Sequence, residues 1–484
     1  MKFNLSVDQF LNNLTKLSLV IPTRSTLKIL DDVLFQVKGN MLLMQTTDLE
    51  NYIRAKVEVE GEEDGIFAVP GKRLLDLVRL MLARYDNVLI SVKFDKNQFE
   101  KISDRLNDIP SVKSAIKYDF NLGEIYYRGF IQEEDKIKII EELNNDLNSI
   151  DDEDTKAAYS PVYGAFKDII EKLYAKSKVQ ETKVLSKNRI KIETIGNNKM
   201  NIKSTTGKYS YSGEIPEDFP FHEDKDDFNK IKLDGTLLKR NLAKVKHAAA
   251  TEEIKKNMTG ILLDIRKDEI RYVATDGFRL GKITQKDFTH NNAKDDKILI
   301  PVKASDTLSR LIDPGECEIQ YDNSVLKVNS GNLEIYCKLI DESFPNYETV
   351  IPKSNDKKLK ISKKELINTL RRISIFVDRA THRAKFEIRT SILNVNAENP
   401  ELGAEGEEDI DCSFINTDDN EVDYDHEPFV ISFNVEFMME SLLAIDTDDV
   451  IFSFGSASKA SIVYPSEQEV NEEQMELIMP VRVG

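Results

Sequence analysis

The residues of this chain whose types and spacing could do chemistry are cations on helices, not nucleophiles, bases or metal ligands. Lys72, Arg73, Arg79, Lys239, Arg240, Lys244, Lys246, Lys303, Arg310, Lys363, Lys364, Arg371 and Arg372 all fall in amphipathic segments that read as helices. Six such segments together carry +7, whereas the whole chain has a net charge of −18, leaving −25 on everything else. A basic wall gathered inside an acidic body suits the phosphate backbone of a nucleic acid, which attracts cations strongly and without regard to base sequence. Solvated helix faces would carry the same charges, so the arrangement of the helices has to decide. Catalytic chemistry finds little support. Cys317, Cys337 and Cys412 are odd in number and scattered, which speaks against a disulfide framework or a zinc site. The five histidines, His222, His247, His290, His382 and His426, form no H-E-x-x-H spacing. No Walker loop, paired-carboxylate metal motif or Ser/His/Asp set stands in the sequence, so neither a cofactor nor a metal is expected.

The cations can act together only if the helices that hold them are equivalent, and the chain repeats those helices. Ile231 to Val245 reads as a short alternating strand followed by Leu238, Leu242 and Val245 on one helical face. Phe3 to Leu17 does the same with Phe10, Leu14 and Leu17, and Leu359 to Ile373 with Leu366, Leu370 and Ile373. A second set, starting at Phe67, Ile298 and Val430, joins an apolar strand to an amphipathic helix through Pro70, Pro301 and Asn434. Proline fits the first helical turn and asparagine caps one. The first two copies lie 228 and 231 residues apart in the two sets, and the second and third 128 and 133. A unit of roughly 130 residues is therefore tripled, with about 100 extra residues in the first unit.

Composition fits this organisation. A chain of 484 residues with 40% hydrophobic and 31% charged residues has room for three or four domains, each with its own core. No apolar run approaches the roughly 20 residues needed to cross a bilayer, and the opening MKFNLSVDQF has no apolar signal segment, so a cytoplasmic protein is expected. The fold class expected is α+β: domains over 1–222, 223–353 and 354–484, the first interrupted at 82–187 by a small inserted α+β domain. Within the insertion, NVLISVKF reads as a strand, FEKISDRLNDI as a helix, AIKYDF and EIYYRGF as a hairpin, and KIKIIEELNNDL as a helix. The acidic run Asp151 to Asp154 reads as a loop before a last helix near Tyr163 to Tyr174.

Several stretches carry a resemblance. The opening MKF with its amphipathic helix, TRSTLKILDDVLF from Thr23, VPGKRLLDLVR from Val69, VATDGFRL from Val273, KLIDESFPNYETVIP from Lys338 and the terminal MPVRVG resemble, in order, the bacterial sliding clamp, the beta subunit of DNA polymerase III. VATDGFRL and Met-Pro-Val-Arg are the specific pieces, and only the insertion lies outside the match. The resemblance implies three clamp domains per chain, two chains joined head to tail in a ring, helices inside, sheets outside, and duplex DNA encircled without base readout. It implies a non-catalytic processivity factor for the replicative polymerase. The DNA channel would then hold Arg24 together with the helix cations named above.

The resemblance also implies a pocket for short peptides of polymerase, clamp loader and repair proteins. Carried over by motif, it comprises Met258, Thr275, Gly277, Phe278, Arg279, Leu280, Pro345, Thr349, Val350, Asn434, Phe437, Met479, Pro480, Val481 and Arg482, with Ser458 and Ala460 suggested by register. Met258, Leu280, Val350 and Met479 would be adaptable apolar walls, and Arg279 and Arg482 would grip carbonyls or carboxylates. Taken singly, each Met or Leu reads more readily as core, and only the constellation tips the reading toward a pocket. Members of the family usually carry His where Phe278 stands. Ring closure would set Tyr209 and Tyr211 against Ile375 and Phe376 of the other chain, with the acidic segment Glu398 to Asp411 facing Lys72 and Arg73. Two rival readings stay open: a recruitment scaffold that never encircles DNA, and an enzyme whose catalytic part is the insertion.

Overall fold

A computed structural model describes residues 1–82, 89–93, 109–110, 116–119, 124–128, 133–187, 189–196, 199–205, 207–220, 228–288, 295–415 and 427–481. It divides into two compact units, Met1–Thr46 with Ala55–Pro220, and Thr47–Arg54 with Phe221–Gly484.

The first unit opens with β1 (Lys2–Ser6) and α1 (Val7–Leu17), followed by β2 (Asp32–Lys38), β3 (Met41–Thr47), the Ala55–Glu58 end of β4 (Asn51–Glu58), β5 (Glu60–Glu63), β6 (Gly65–Pro70) and α2 (Gly71–Leu82). The stretch 82–187, expected as an insertion, supplies β7 (Leu89–Lys93), β8 (Ile116–Asp119), β9 (Glu124–Arg128), α3 (Glu133–Asn148) and α4 (Glu153–Lys187). The unit then returns through β10 (Arg189–Ile195), β11 (Lys199–Lys203) and β12 (Lys208–Ser212). Its strands run in the orders β12-β11-β10-β1-β5, β4-β3-β2-β6 and β7-β9-β8. The β7-β9-β8 sheet is built wholly from residues 89–128. The segment expected as the helix FEKISDRLNDI lies almost wholly outside the described residues.

The helix expected near Tyr163 to Tyr174 is much longer, Glu153–Lys187. It starts inside the acidic run, because the Asp152 carboxylate accepts from the Thr155 N–H at 2.9 Å, and Glu153 and Asp154 then sit in a first turn that favours negative charge. It continues through Pro161 because Tyr163, Phe166, Ile170 and Leu173 bury one face of the helix.

The second unit holds β13 (Asn229–Asp234), α5 (Gly235–Val245), β14 (Gly260–Arg266), β15 (Glu269–Thr275), β16 (Arg279–Gln285), β17 (Asp296–Pro301), α6 (Val302–Leu311), β18 (Glu316–Tyr321), β19 (Val325–Ser330) and β20 (Leu333–Lys338). It goes on with β21 (Lys357–Ser362), α7 (Lys363–Ile373), β22 (Arg383–Ile388), β23 (Ile392–Asn399), β24 (Ala404–Phe414), β25 (Phe429–Asn434), α8 (Val435–Leu443), β26 (Asp449–Phe454), β27 (Ser461–Pro465) and β28 (Glu472–Ile478). A twelve-stranded sheet runs β17-β14-β15-β16-β28-β27-β26-β21-β24-β23-β22-β25. Its β16–β28 pairing, antiparallel from Arg279–Ile478 to Gln285–Glu472, joins the second and third repeats through backbone hydrogen bonds. That seam is why two repeats make one compact unit.

The repeat survives in detail. Ser6, Asp234 and Ser362 cap α1, α5 and α7, their side chains accepting from Gln9, Leu237 and Glu365 N–H groups at 3.1, 2.9 and 3.4 Å. Each helix then buries its three apolar positions, Phe10/Leu238/Leu366, Leu14/Leu242/Leu370 and Leu17/Val245/Ile373. A polar residue is buried at one further equivalent position, as Asn13, Asn241 and Thr369. In the second set the prolines end the strands: Pro70 closes β6, and Pro301 stands at the N-cap of α6 with no side-chain cap. Asn434 does cap α8, accepting from Glu436 and Phe437 N–H groups at 2.9 and 3.2 Å.

Candidate functional site

The VATDGFRL stretch is a hairpin turn between β15 and β16. Thr275 Oγ1 donates to the Arg279 carbonyl at 2.6 Å and accepts from the Gly277 N–H at 3.1 Å. Asp276 Oδ1 accepts from the Phe278 and Arg279 N–H groups at 2.8 and 3.0 Å. Gly277 has φ +92°, which a side chain would strain, so Asp-Gly is the dipeptide this turn needs. The turn turns Phe278 outward, leaving it 59% exposed. Lys255 steadies it from behind, donating to the Asp276 carbonyl at 3.1 Å with its ammonium 5.3 Å from the Phe278 ring centroid.

The chain's last described residues are tied to this turn. The Met479 N–H donates to the Phe278 carbonyl and the Val481 N–H to the Ser432 carbonyl, both at 2.8 Å, so Met479, Pro480 and Val481 run from β16 to β25 instead of fraying. Met479 keeps 38% of its surface exposed, and Val350, at the end of the 3-10 turn Tyr347–Thr349, keeps 52%. Thr349 is also exposed, Pro345 half-buried. A polar network holds that turn down: the Tyr347 hydroxyl donates to Asp264 Oδ2 at 2.6 Å, and Arg271 donates to the Tyr347 hydroxyl at 3.1 Å and to Glu348 at 2.5 Å. Met258 ends the 3-10 segment Glu253–Met258, half-buried, its carbonyl accepting from Ala250 at 2.9 Å. Arg482 lies outside the described residues.

Two side chains differ from expectation. Leu280 is a floor, not a wall: strand alternation turns it into a buried cluster with Leu262, Val273, Leu299, Tyr347, Ala460 and Leu477. Ser458 is exposed nearby in sequence. Arg279 is buried and already engaged, 3.0 Å from Asp276 Oδ2, paired with Glu440, and 4.3 Å from the Phe437 ring centroid. Its guanidinium joins β16 to α8 and has no free fork for a ligand.

On the helices, sequence spacing and structure agree in one respect. Lys72 and Arg79, Lys239 and Lys246, Lys303 and Arg310, and Lys364 and Arg371 stand seven residues apart on the solvent side of α2, of α5 with its C-cap residue, of α6 and of α7. Seven residues are two turns, about 10.5 Å. Their partners divide them. Arg240 pairs with Glu472, and Lys244 lies 2.5 Å from Asp446. Lys246 lies 2.7 Å from Asp306, Lys303 2.8 Å from Asp48, Arg372 2.5 Å from Glu408 and Arg79 3.8 Å from Asp76. Lys72 and Lys363 donate to the carbonyls of Pro22 and Ile445 at 2.6 and 2.7 Å. Among the described residues no carboxylate lies within ion-pair distance of Arg24, Arg73, Lys239, Arg310, Lys364 or Arg371. α8 departs from the pattern, exposing Glu436, Glu440 and Leu443.

Among the described residues, two sheet edges are left open. β12 ends its sheet and carries half-buried Tyr209 and Tyr211, the latter donating from its hydroxyl to the Arg73 carbonyl at 3.1 Å. β24 pairs with β23 along Ala404–Asp411, but on its other side meets β21 only at Cys412–Phe414. The acidic segment Glu398 to Asp411 is therefore strand on either side of a tight turn at Gly403 (φ +56°). Ile375 is 72% exposed, whereas Phe376 is half-buried against the core of the third repeat. The sequence reading missed Lys255 and the seam residues Glu472, Gln474 and Glu476, whose signal was three polar residues on the face of β28 that alternation should make apolar. Cys317 and Cys337 are buried, and burial pushes their thiols above the ordinary range.

Comparison with known proteins matches the DNA polymerase III beta subunit models for the N-terminal domain over residues 1–119, the central domain over 232–346 and the C-terminal domain over 348–482. A beta sliding clamp of Pseudomonas aeruginosa is 24% identical over 287 residues, 59% of this chain and 74% of that protein. The crystal structure of the DNA polymerase III subunit beta from P. aeruginosa superimposes with a TM-score of 0.72 at 20% identity, covering both chains fully. A structure of that organism's clamp bound to griselimycin gives 0.71 at 20% identity, again over both full chains.

Proposed function

The chain belongs to the DNA polymerase III beta subunit family, and from that premise we propose that it is a DNA sliding clamp. Two copies join head to tail around duplex DNA, tether the replicative polymerase, and receive clamp loader and repair proteins through peptides that dock in a groove beside Phe278, Val350 and Met479, where griselimycin, the ligand in the P. aeruginosa clamp structure, would also bind. It acts without catalysis, in the cytoplasm, and needs no cofactor. The observation that carries the reading is the repeated helix with cations two turns apart on its outward face. Such a wall attracts phosphates without reading bases, and contacts that are weak and redundant permit sliding. Ring closure uses the β12 edge and Tyr209 and Tyr211 of one chain against the open β24 edge, Ile375 and Phe376 of the other.

Retention on nicked circular DNA, lost when the circle is cut to a linear form, tests encirclement. Equal retention on both would favour a scaffold that binds DNA from one side.

The partner pattern sharpens a second test. Changing Lys239, Lys364 and Arg371 together to Ala should lower the slope of log affinity against log salt by up to about 2.7, at about 0.9 per phosphate neutralised. Changing Arg240 and Lys244 instead should mainly lower the melting temperature, because those cations are spent on Glu472 and Asp446. A reversed outcome would exchange the two sets of roles.

A further inference from the structure

The seam between the second and third repeats contains a buried polar group that neither DNA nor peptide binding uses. At its middle, His247 Nε2 lies 3.2 Å from Glu476 Oε2, a carboxylate with no solvent exposure. The approach is an ion-pair contact; neither atom has an aligned hydrogen-bond partner. The other ring nitrogen, Nδ1, is 2.8 Å from the Lys244 carbonyl oxygen. A carbonyl can only accept, so Nδ1 must carry a proton. A neutral ring would then turn a lone pair toward the Glu476 carboxylate. The site is coherent only with one further proton, on the imidazole or on the carboxyl.

Gly281 makes the room. A Cβ there would stand 3.2 Å from Glu476 Oε2, 3.4 Å from the Val245 Cα and 3.6 Å from His247 Cε1. Two residues back on the same face of β16 is Arg279, which runs to Glu440 and Phe437. His247, Arg279, Glu440 and Lys246 line one cavity of about 1030 Å³.

We propose that His247 and Glu476 form a one-proton latch that holds the second and third repeats together behind Arg279, so that losing the proton loosens the joint and weakens the groove. Both are positioning residues and touch no peptide. The groove arm rests on the clamp reading; the latch itself does not.

The surrounding charges set the direction. From β28 come Glu476 and, beside it, Gln474, whose amide donates to Glu476 Oε1 at 3.3 Å. From β16 comes Arg279, from α8 Glu440, and from α5 and the turn after it Lys244 and Lys246, which are already paired with Asp446 and Asp306. Burial opposes a charge on His247, but the Glu476 carboxylate outweighs it and holds the imidazole above its ordinary value. Burial also raises the Glu476 carboxyl, with His247 and Gln474 pulling the other way. Both shifts mean that the folded chain keeps a proton that the unfolded chain gives up. The stabilisation from His247 is full below its ordinary pKa of about 6.5 and is lost as pH rises through the raised folded value.

The test uses the full chain and its Glu476→Gln and His247→Gln variants, with melting temperature and griselimycin affinity measured from pH about 6 to about 9. In the native protein the melting temperature should fall across that range and griselimycin affinity weaken by about five-fold, the low end of a coupling between two sites. Glu476→Gln offers an amide N–H to a neutral Nε2, so both dependences should flatten. In ¹H NMR the His247 Cε1–H, identified by its loss in His247→Gln, should titrate above the ordinary histidine value. Superimposable melting curves for native and Glu476→Gln protein, or ordinary titration of His247, would overturn the latch; the NMR titration decides on native protein alone should a variant not fold. Melting that flattens while griselimycin binds equally at all pH would keep the latch and sever it from the groove. Flattened melting with no griselimycin binding at any pH would keep the latch and strike the groove reading.

Discussion

Deleting Met479–Gly484 is expected to abolish griselimycin binding while the chain remains dimeric and folded. The tail is joined to the turn by the Met479-to-Phe278 hydrogen bond and to β25 by the Val481-to-Ser432 bond, so its loss removes an exposed apolar wall and frees Phe278 from its partner. β28 ends at Ile478 and keeps its whole pairing with β16, which is why the fold should hold. Removing a central anchor of this kind costs about 2 kcal/mol or more, a loss of roughly thirty-fold in affinity or greater. Isothermal titration on the truncated chain measures it, with sedimentation as the control for assembly. Full affinity in a dimeric truncated chain would move the partner site elsewhere. Phe278→His should keep binding but shift preference among ligands, since the Lys255 ammonium would then lie beside a ring that can itself be protonated.

The second large effect is expected from Ile375→Asp, which should turn the dimer into folded monomers. Ile375 is exposed within a single chain, so an aspartate there costs little until a second chain buries it unpaired. Phe376 is the poorer choice of mutation. It packs into the third repeat and beside Gly406, where a Cβ would stand 2.7 Å from its ring, so a charge at Phe376 would damage the fold as well as the joint. Sedimentation at micromolar concentration, with circular dichroism for the fold, reads the outcome. Dimers that persist with Ile375→Asp would place the joint away from the β12 and β24 edges. Loss of the dimer should in turn abolish retention on circular DNA, because a half ring encloses nothing.

The tripled architecture was legible in the sequence because its signals are local. Three apolar residues at helical spacing, a capping residue before them and a strand before that are set by neighbours in the chain, and the structure buries all nine core positions of the first set. The Asp-Gly turn at Asp276 and Gly277 is also a local feature, since a positive φ selects glycine at one position, although in the sequence the stretch served only as part of the resemblance. What only tertiary structure decided is which partner each charge takes. Lys239 and Arg240 are adjacent in sequence, yet Arg240 meets Glu472, 232 residues away, and Lys239 has no carboxylate near it among the described residues. Likewise the sequence marks Leu280 as apolar but cannot say that Tyr347, Ala460 and Leu477 close over it. His247 and Glu476 are 229 positions apart, and only the pairing of β16 with β28 brings them within 3.2 Å. Hydrophobic periodicity depends on residues a turn or a pleat away, whereas an ion pair or a shared proton depends on which distant strand the sheet places alongside.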